Sequence, residues 1–184
     1  MRKKKINLCW VWLVVTVLII VGAVRHFHIK NFNVIDNGVL YTSGQPRGMD
    51  YTRLMYKYHI ATFVNLRVIN EHLKENWYNE EVEWMKSNGS RYIELPIAKG
   101  DSIDKIASSE SLEKFSEIMG NKINYPVLIH DSSGKDRVAY FAGYWMLQSG
   151  RFNLEQTIKK AEHLKKEPLT DKEKEFFKTV VVSK

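Results

Sequence analysis

The pattern of apolar and polar positions divides this 184-residue chain into two unequal parts. From Ile6 to Val24 no charge interrupts an apolar run. Nineteen helical residues cover about 28 Å at ~1.5 Å each, close to the thickness of a hydrocarbon core. Beyond that run the periods shorten. "NVIDNGVLYTSGQP" reads as two short strands around Asp36-Asn37-Gly38, because an Asn-Gly turn tolerates positive φ. "MDYTRLMYKY" reads as a short helix, and "ATFVNLR" as a buried strand. "ENWYNEEVEWMKSNG" places Tyr78, Val82 and Met85 on one helical face and stops at Gly89. "RYIELPI" is the next strand, and "SLEKFSEIMG" a helix with Leu112, Phe115 and Met119 turned inward. "VLIH" is a third buried strand. "RVAYFAGYWMLQSG" is apolar on nearly every face, as a helix covered by other elements must be, and Ala139, Ala142 and Gly143 admit a close neighbour. Two amphipathic helices close the chain, the second opening on "TDKE", where Thr170 and Glu173 form a capping box. Strands alternating with helices predict an α/β domain with a mainly parallel central sheet flanked by helices.

The organisation that follows is a basic N-terminal segment (1–5), a transmembrane anchor or uncleaved signal (6–24), a juxtamembrane linker (25–33) and one globular domain (34–184). Val21-Gly22-Ala23 also offers a small-residue cleavage pattern, so removal as a signal is the alternative. Arg2, Lys3, Lys4 and Lys5 precede the span. That bias puts the N-terminus in the cytoplasm and makes the chain a single-pass protein of the cell membrane with an extracytoplasmic domain. Charge then loses its apparent meaning. The formal +7 includes six Lys or Arg and no acid in residues 1–30, which leaves 22 basic against 21 acidic residues, or +1, for the remainder. A nearly neutral domain argues against nucleic acid as a partner. Cys9, inside the apolar run, is the only cysteine, so the domain has no disulfide and no thiol nucleophile. The six histidines show no metal-ligand spacing, and no metal or other cofactor is expected.

The chemistry concentrates in "VLIHDSSGKDRVAYF". A buried strand runs into a short loop that opens a helix, the place where α/β sheets bind ligands. Ser132, Ser133 and Gly134 form a turn that can aim successive backbone N–H groups inward, and the helix N-terminus adds partial positive charge. Arg137 offers a planar fork for two phosphate oxygens, and Lys135 a second positive charge. A Walker A loop does not fit, since Ile129 stands where its first glycine belongs and Asp136 where its Ser or Thr belongs.

His130, Asp131, the five residues Ser132 to Asp136, Arg137 and Val138 resemble the signature of cysteine-dependent protein tyrosine and dual-specificity phosphatases: His, Cys, five residues, Arg, then Ser or Thr. "VLYTSGQP", "TFVNLR" and "IELPI" resemble upstream blocks of bacterial dual-specificity-like members in the same order, so the resemblance spans about residues 34–165. It implies a phosphatase-like fold with phosphate held by residues 132–137 and Arg137. It also implies a leaving-group acid at Asp101, with Asp104 behind it; a turn or capping role is the alternative for Asp101. His130 is implied to orient the loop, with Asn65 and Arg67 bracing loop or sheet.

Two departures fall on chemistry. Asp131 stands at the nucleophile position and Val138 replaces the hydroxyl that assists the departing thiolate. Asp131 can instead accept the loop N–H groups and pair with Arg137, as an internal phosphate mimic. Phosphatases that attack with aspartate carry a second Asp two residues on, and here that residue is Ser133. The expectation is a membrane-anchored pseudophosphatase that binds a phosphorylated ligand, either a phosphoinositide or inositol phosphate or a phosphoprotein. The alternatives are an active phosphomonoesterase using Asp131 or a water it orients, and an engineered inactive form of a cysteine phosphatase.

Overall fold

The computed structural model describes residues 8–72 and 76–182. Helix α1 (Leu8–Phe27) comes first, and every side chain described on it, Trp10 to Gly22, is exposed. Among the described residues no helix is long and apolar enough to cross a membrane. The transmembrane helix expected over 6–24 therefore gains no support from the fold, and the basic segment 1–5 lies outside the described residues.

Among the described residues, five strands form one sheet in the order β1-β2-β5-β3-β4. Strands β1 (Asn33–Asp36) and β2 (Leu40–Ser43) pair antiparallel across the Asn-Gly turn, with Gly38 at φ +75°. The other pairings, among β2, β3 (Thr62–Asn65), β4 (Arg91–Glu94) and β5 (Val127–His130), are parallel. The sheet is thus mixed, with one antiparallel hairpin on a parallel core. Strands β2, β3 and β5 are buried at all four positions. That is the pattern of strands covered on both faces, and it explains why they read as apolar runs. Register brings Ser43 and Asn65 level with His130. Three strand ends therefore converge where the chain leaves His130.

Helices cover both faces. Over one lie α2 (Met49–Tyr58) and α4 (Trp77–Ser87), around Tyr51, Leu54, Phe63 and Met85. Under the other lie α6 (Glu110–Gly120), α7 (Asp136–Gln148), α8 (Leu154–Lys165) and α9 (Asp171–Val182), packed on Leu112, Phe115, Phe141 and Phe177. Helix α7 is the buried one, as its all-round apolarity predicts. At Gly143 an added Cβ would come 2.6 Å from the Phe177 ring, so α9 crosses α7 where there is no side chain to hold it off. The capping box forms: Thr170 N–H donates to Glu173 Oε2 at 2.7 Å, and Glu173 N–H to Thr170 Oγ1 at 3.4 Å.

The inward face of α4 corrects the sequence expectation. Trp77, Glu81 and Met85 are buried, while Tyr78 and Val82 are only half-buried. A glutamate on the apolar face hides the periodicity, and Glu81 is inside because it has buried polar partners. Two short helices, α3 (Ile69–His72) and α5 (Ile103–Ala107), were not expected, being too brief to show a helical period.

Candidate functional site

The loop after β5 turns back over the end of β2. Gly134 sits at φ +72°, and a Cβ there would overlap Gly44 N and Ser43 C, so only glycine fits. Asp131, 1% exposed, leads into this turn. Its Oδ1 accepts the N–H of Ser133 at 2.7 Å and of Gly134 at 2.5 Å. Oδ2 lies 3.4 Å from Arg137 Nε. The nest of amides and guanidinium therefore already holds an anion, and that anion is the side chain of Asp131. On the outer side of the loop, Lys30 Nζ donates to Ser132 O at 2.8 Å and Asn31 Nδ2 to Ser133 O at 2.7 Å.

Arg137 is fixed from several directions. Its Nη1 donates to Glu71 Oε1 at 2.6 Å and to Ile97 O at 2.9 Å, and Nη2 to Glu71 Oε2 at 3.2 Å. Nη2 also reaches Ser132 Oγ at 3.4 Å. The fork that the sequence assigns to phosphate is thus engaged by a carboxylate. Burial works against the Arg137 charge, but the Glu71 hydrogen bonds and the charges of Asp131 and Glu71 raise its pKa above the ordinary value. Burial also disfavours the Glu71 charge, yet Arg137 and then Arg67 hold that carboxyl below its usual range. Both groups therefore stay ionised at neutral pH.

Behind this pair runs a buried polar chain. Arg67 Nε donates to Glu71 Oε2 at 3.1 Å, Nη1 donates to Gln45 Oε1 at 3.2 Å, and the guanidinium lies 3.8 Å from the Trp77 ring centre. Gln45 Nε2 donates to Glu81 Oε2 at 3.2 Å. Glu81 Oε1 stands 3.1 Å from His130 Nε2, both side chains being fully buried. Tyr92 Oη donates to Glu81 Oε2, and Asn65 Nδ2 to Tyr92 Oη. The chain ties the ends of β2, β3 and β5 to the loop. The hydrogen bonds of this chain make it a rigid support for the loop, while Glu81 Oε1 and both ring nitrogens of His130 are buried without a well-aligned hydrogen-bond partner among the described residues.

The structure brings together Asp131, Ser132, Ser133, Gly134 and Arg137. Lys135 is the N-cap residue of α7 and Asp136 its exposed first residue, so both sit at the rim. Asp101 is engaged locally: Oδ2 accepts Ala98 N–H at 3.1 Å and Oδ1 pairs with Lys105 Nζ at 2.7 Å. The segment carrying it starts beside the site at Ile97, and Asp104 is exposed on α5. Asn65 and Arg67 do brace the framework. Among the described residues no group of three His, Cys, Asp or Glu side chains could hold a metal. Glu71, Gln45, Glu81, Lys30 and Asn31 were missed as site residues. Two of them had a signal: Glu71 lies four residues after Arg67, and Glu81 lies midway between Trp77 and Met85 at helical spacing.

A family model described as the tyrosine phosphatase family matches residues 27–145. Among solved structures, the core catalytic domain of the PP-IP phosphatase Siw14 from S. cerevisiae, in complex with citrate, superposes with a TM-score of 0.65 at 22% identity, over 82% of this chain and 85% of that one. P. aeruginosa TpbA in complex with pTyr superposes with a TM-score of 0.59 at 15% identity, over 84% and 90%. At these identities the likeness is one of fold.

Proposed function

The chain belongs to the tyrosine phosphatase family, and from that premise we propose that it is a pseudophosphatase: a phosphatase-fold module that takes a phosphorylated ligand at loop 131–137 without cleaving it. The observation that carries this reading is the Asp131 carboxylate seated on the N–H groups of Ser133 and Gly134 beside Arg137. An attacking group must leave that nest free for the phosphoryl oxygens, and Asp131 fills it. Val138, fully buried at the start of α7, supplies no hydroxyl for a leaving group. A ligand phosphate therefore enters in competition with Asp131. Two unit charges 4 Å apart repel by roughly 4 kcal/mol at an effective dielectric near 20, so the competition is steep.

Lys135 beside Arg137 suits a polyanion of the inositol phosphate or phosphoinositide type. The PP-IP activity named for Siw14 supports that choice, and the pTyr bound by TpbA makes a phosphoprotein the second candidate. We place the protein at the cell membrane with this domain on the extracytoplasmic side. The uncharged run from Ile6 to Val24 in the sequence, with the basic residues Arg2 to Lys5 before it, supports that placement. Resistance to alkaline carbonate extraction tests it; release into the soluble fraction would refute it.

The binding reading is tested with tungstate and inorganic phosphate by calorimetry on the full chain and on Asp131→Ser. Emptying the nest is expected to tighten both anions at least about tenfold. Equal affinities would remove Asp131 as competitor, and no binding by either protein would end the binding reading.

A further inference from the structure

The nest is aimed from outside the loop. Ser132 C=O and Ser133 N–H belong to one peptide unit, and Ser133 C=O and Gly134 N–H to the next. In a trans peptide the two groups point in opposite directions. Lys30 Nζ holds the first carbonyl outward at 2.8 Å and Asn31 Nδ2 the second at 2.7 Å. The two partner N–H groups then face inward, where they meet Asp131 Oδ1.

The holding residues are themselves held. Asn31 Oδ1 accepts from Lys166 Nζ at 2.6 Å, which turns the amide so that its Nδ2 faces Ser133. Asn33 Nδ2 donates to Asn31 O at 3.1 Å, and Gly44 N–H to Lys30 O at 2.7 Å. The Lys30 stem lies across Gly44, where an added Cβ would stand 2.9 Å from Lys30 Cδ. Asn31 has φ +46°, a left-handed conformation that asparagine accepts more readily than most residues.

We propose that Lys30 and Asn31 are positioning residues of the anion nest, a strap from the segment before β1 that sets both peptide planes and so keeps the Ser133 and Gly134 N–H groups turned toward the bound anion. The strap serves whichever anion fills the nest, and only its role in ligand affinity rests on the binding reading above.

The test uses the full chain in detergent micelles. In the Asp131→Ser background, Lys30→Met and Asn31→Ala are each expected to weaken tungstate roughly five- to tenfold, while Lys30→Arg, which keeps donor and charge, stays within about twofold. In the chain with Asp131 intact, the amide proton resonances of Ser133 and Gly134 are expected to move upfield in Lys30→Met and Asn31→Ala and to return in Lys30→Arg. Lys30 is exposed, so its replacement leaves the fold intact and decides the matter if Asn31→Ala does not fold. If Asp131→Ser binds tungstate and the strap variants bind it equally well, the strap is overturned while the binding reading stands. If Asp131→Ser binds no tungstate, the binding reading fails, and unmoved amide resonances would then overturn the strap as well.

Discussion

Replacing Glu71 by Gln keeps its shape and removes its charge, which isolates what this carboxylate does for Arg137. Glu71 accepts from Arg137 Nη1 at 2.6 Å, Arg137 Nη2 at 3.2 Å and Arg67 Nε at 3.1 Å, with its side chain 17% exposed. A hydrogen bond to a charged group contributes about 1.5–3 kcal/mol, and breaking a well-buried pair costs about 3–5 kcal/mol. Two features lower that cost here. Asp131 remains beside the guanidinium, and Leu66 O and Ile97 O still accept from it. The expected loss is about 2 kcal/mol at pH 7, or roughly 4–8 °C in Tm for a chain of this size. The pH dependence adds a second check. Arg137 and Arg67 hold the Glu71 carboxyl below its ordinary value of 4.5. A depressed carboxyl contributes stability above its unfolded pKa and loses it as pH falls through the folded value. The gap between wild type and Glu71→Gln, read by urea denaturation, should therefore be full at pH 6–7 and close on acidification below 4.5. A gap under about 0.5 kcal/mol at pH 7, or one that persists unchanged into acid, would refute the assignment.

Three further outcomes follow from the packing. Gly143→Ala forces a methyl group to 2.6 Å from the Phe177 ring and should cost about 1–3 kcal/mol, measured by thermal unfolding; an unchanged Tm would mean that α9 shifts freely on α7. Burial opposes the Glu173 charge, but Lys165, Tyr140 and Thr170 hold its carboxyl below 4.5. Glu173→Gln should thus destabilise by about 3 kcal/mol at neutral pH and by progressively less as acid protonates the wild-type group, in parallel denaturation curves. Asp101→Ala removes a turn acceptor and an ion pair whose lysine is exposed, and should cost only about 1 kcal/mol, so a larger loss by urea titration would give Asp101 a structural weight that its contacts do not explain.

The strands were legible because β2, β3 and β5 are buried on both faces and read as apolar runs, and the hairpin because Asn37-Gly38 marks its turn. The loop was legible for a similar reason: strand, small residues, glycine and arginine stand in chain order. What was hidden depends on distant parts of the chain meeting. Glu71 reaches Arg137 from 66 positions away, and Lys30 and Asn31 reach the loop from 102. No local period records such pairings. Glu81 misled for the opposite reason, since a buried acid on a helix face looks like a solvated one until its partners Gln45 and His130 are in place. The apolar run from Ile6 to Val24 shows the same division, because it is read from composition whereas its surroundings are not.

In the proposed function Asp131 occupies the nest and the chain does not hydrolyse phosphate monoesters. Phosphate release from an aryl phosphate by the purified full chain, measured beside Arg137→Ala, tests it most directly. Equal rates at background level are expected for the two proteins. A wild-type rate clearly above that of Arg137→Ala would contradict it and make Asp131, or a water it orients, a working nucleophile.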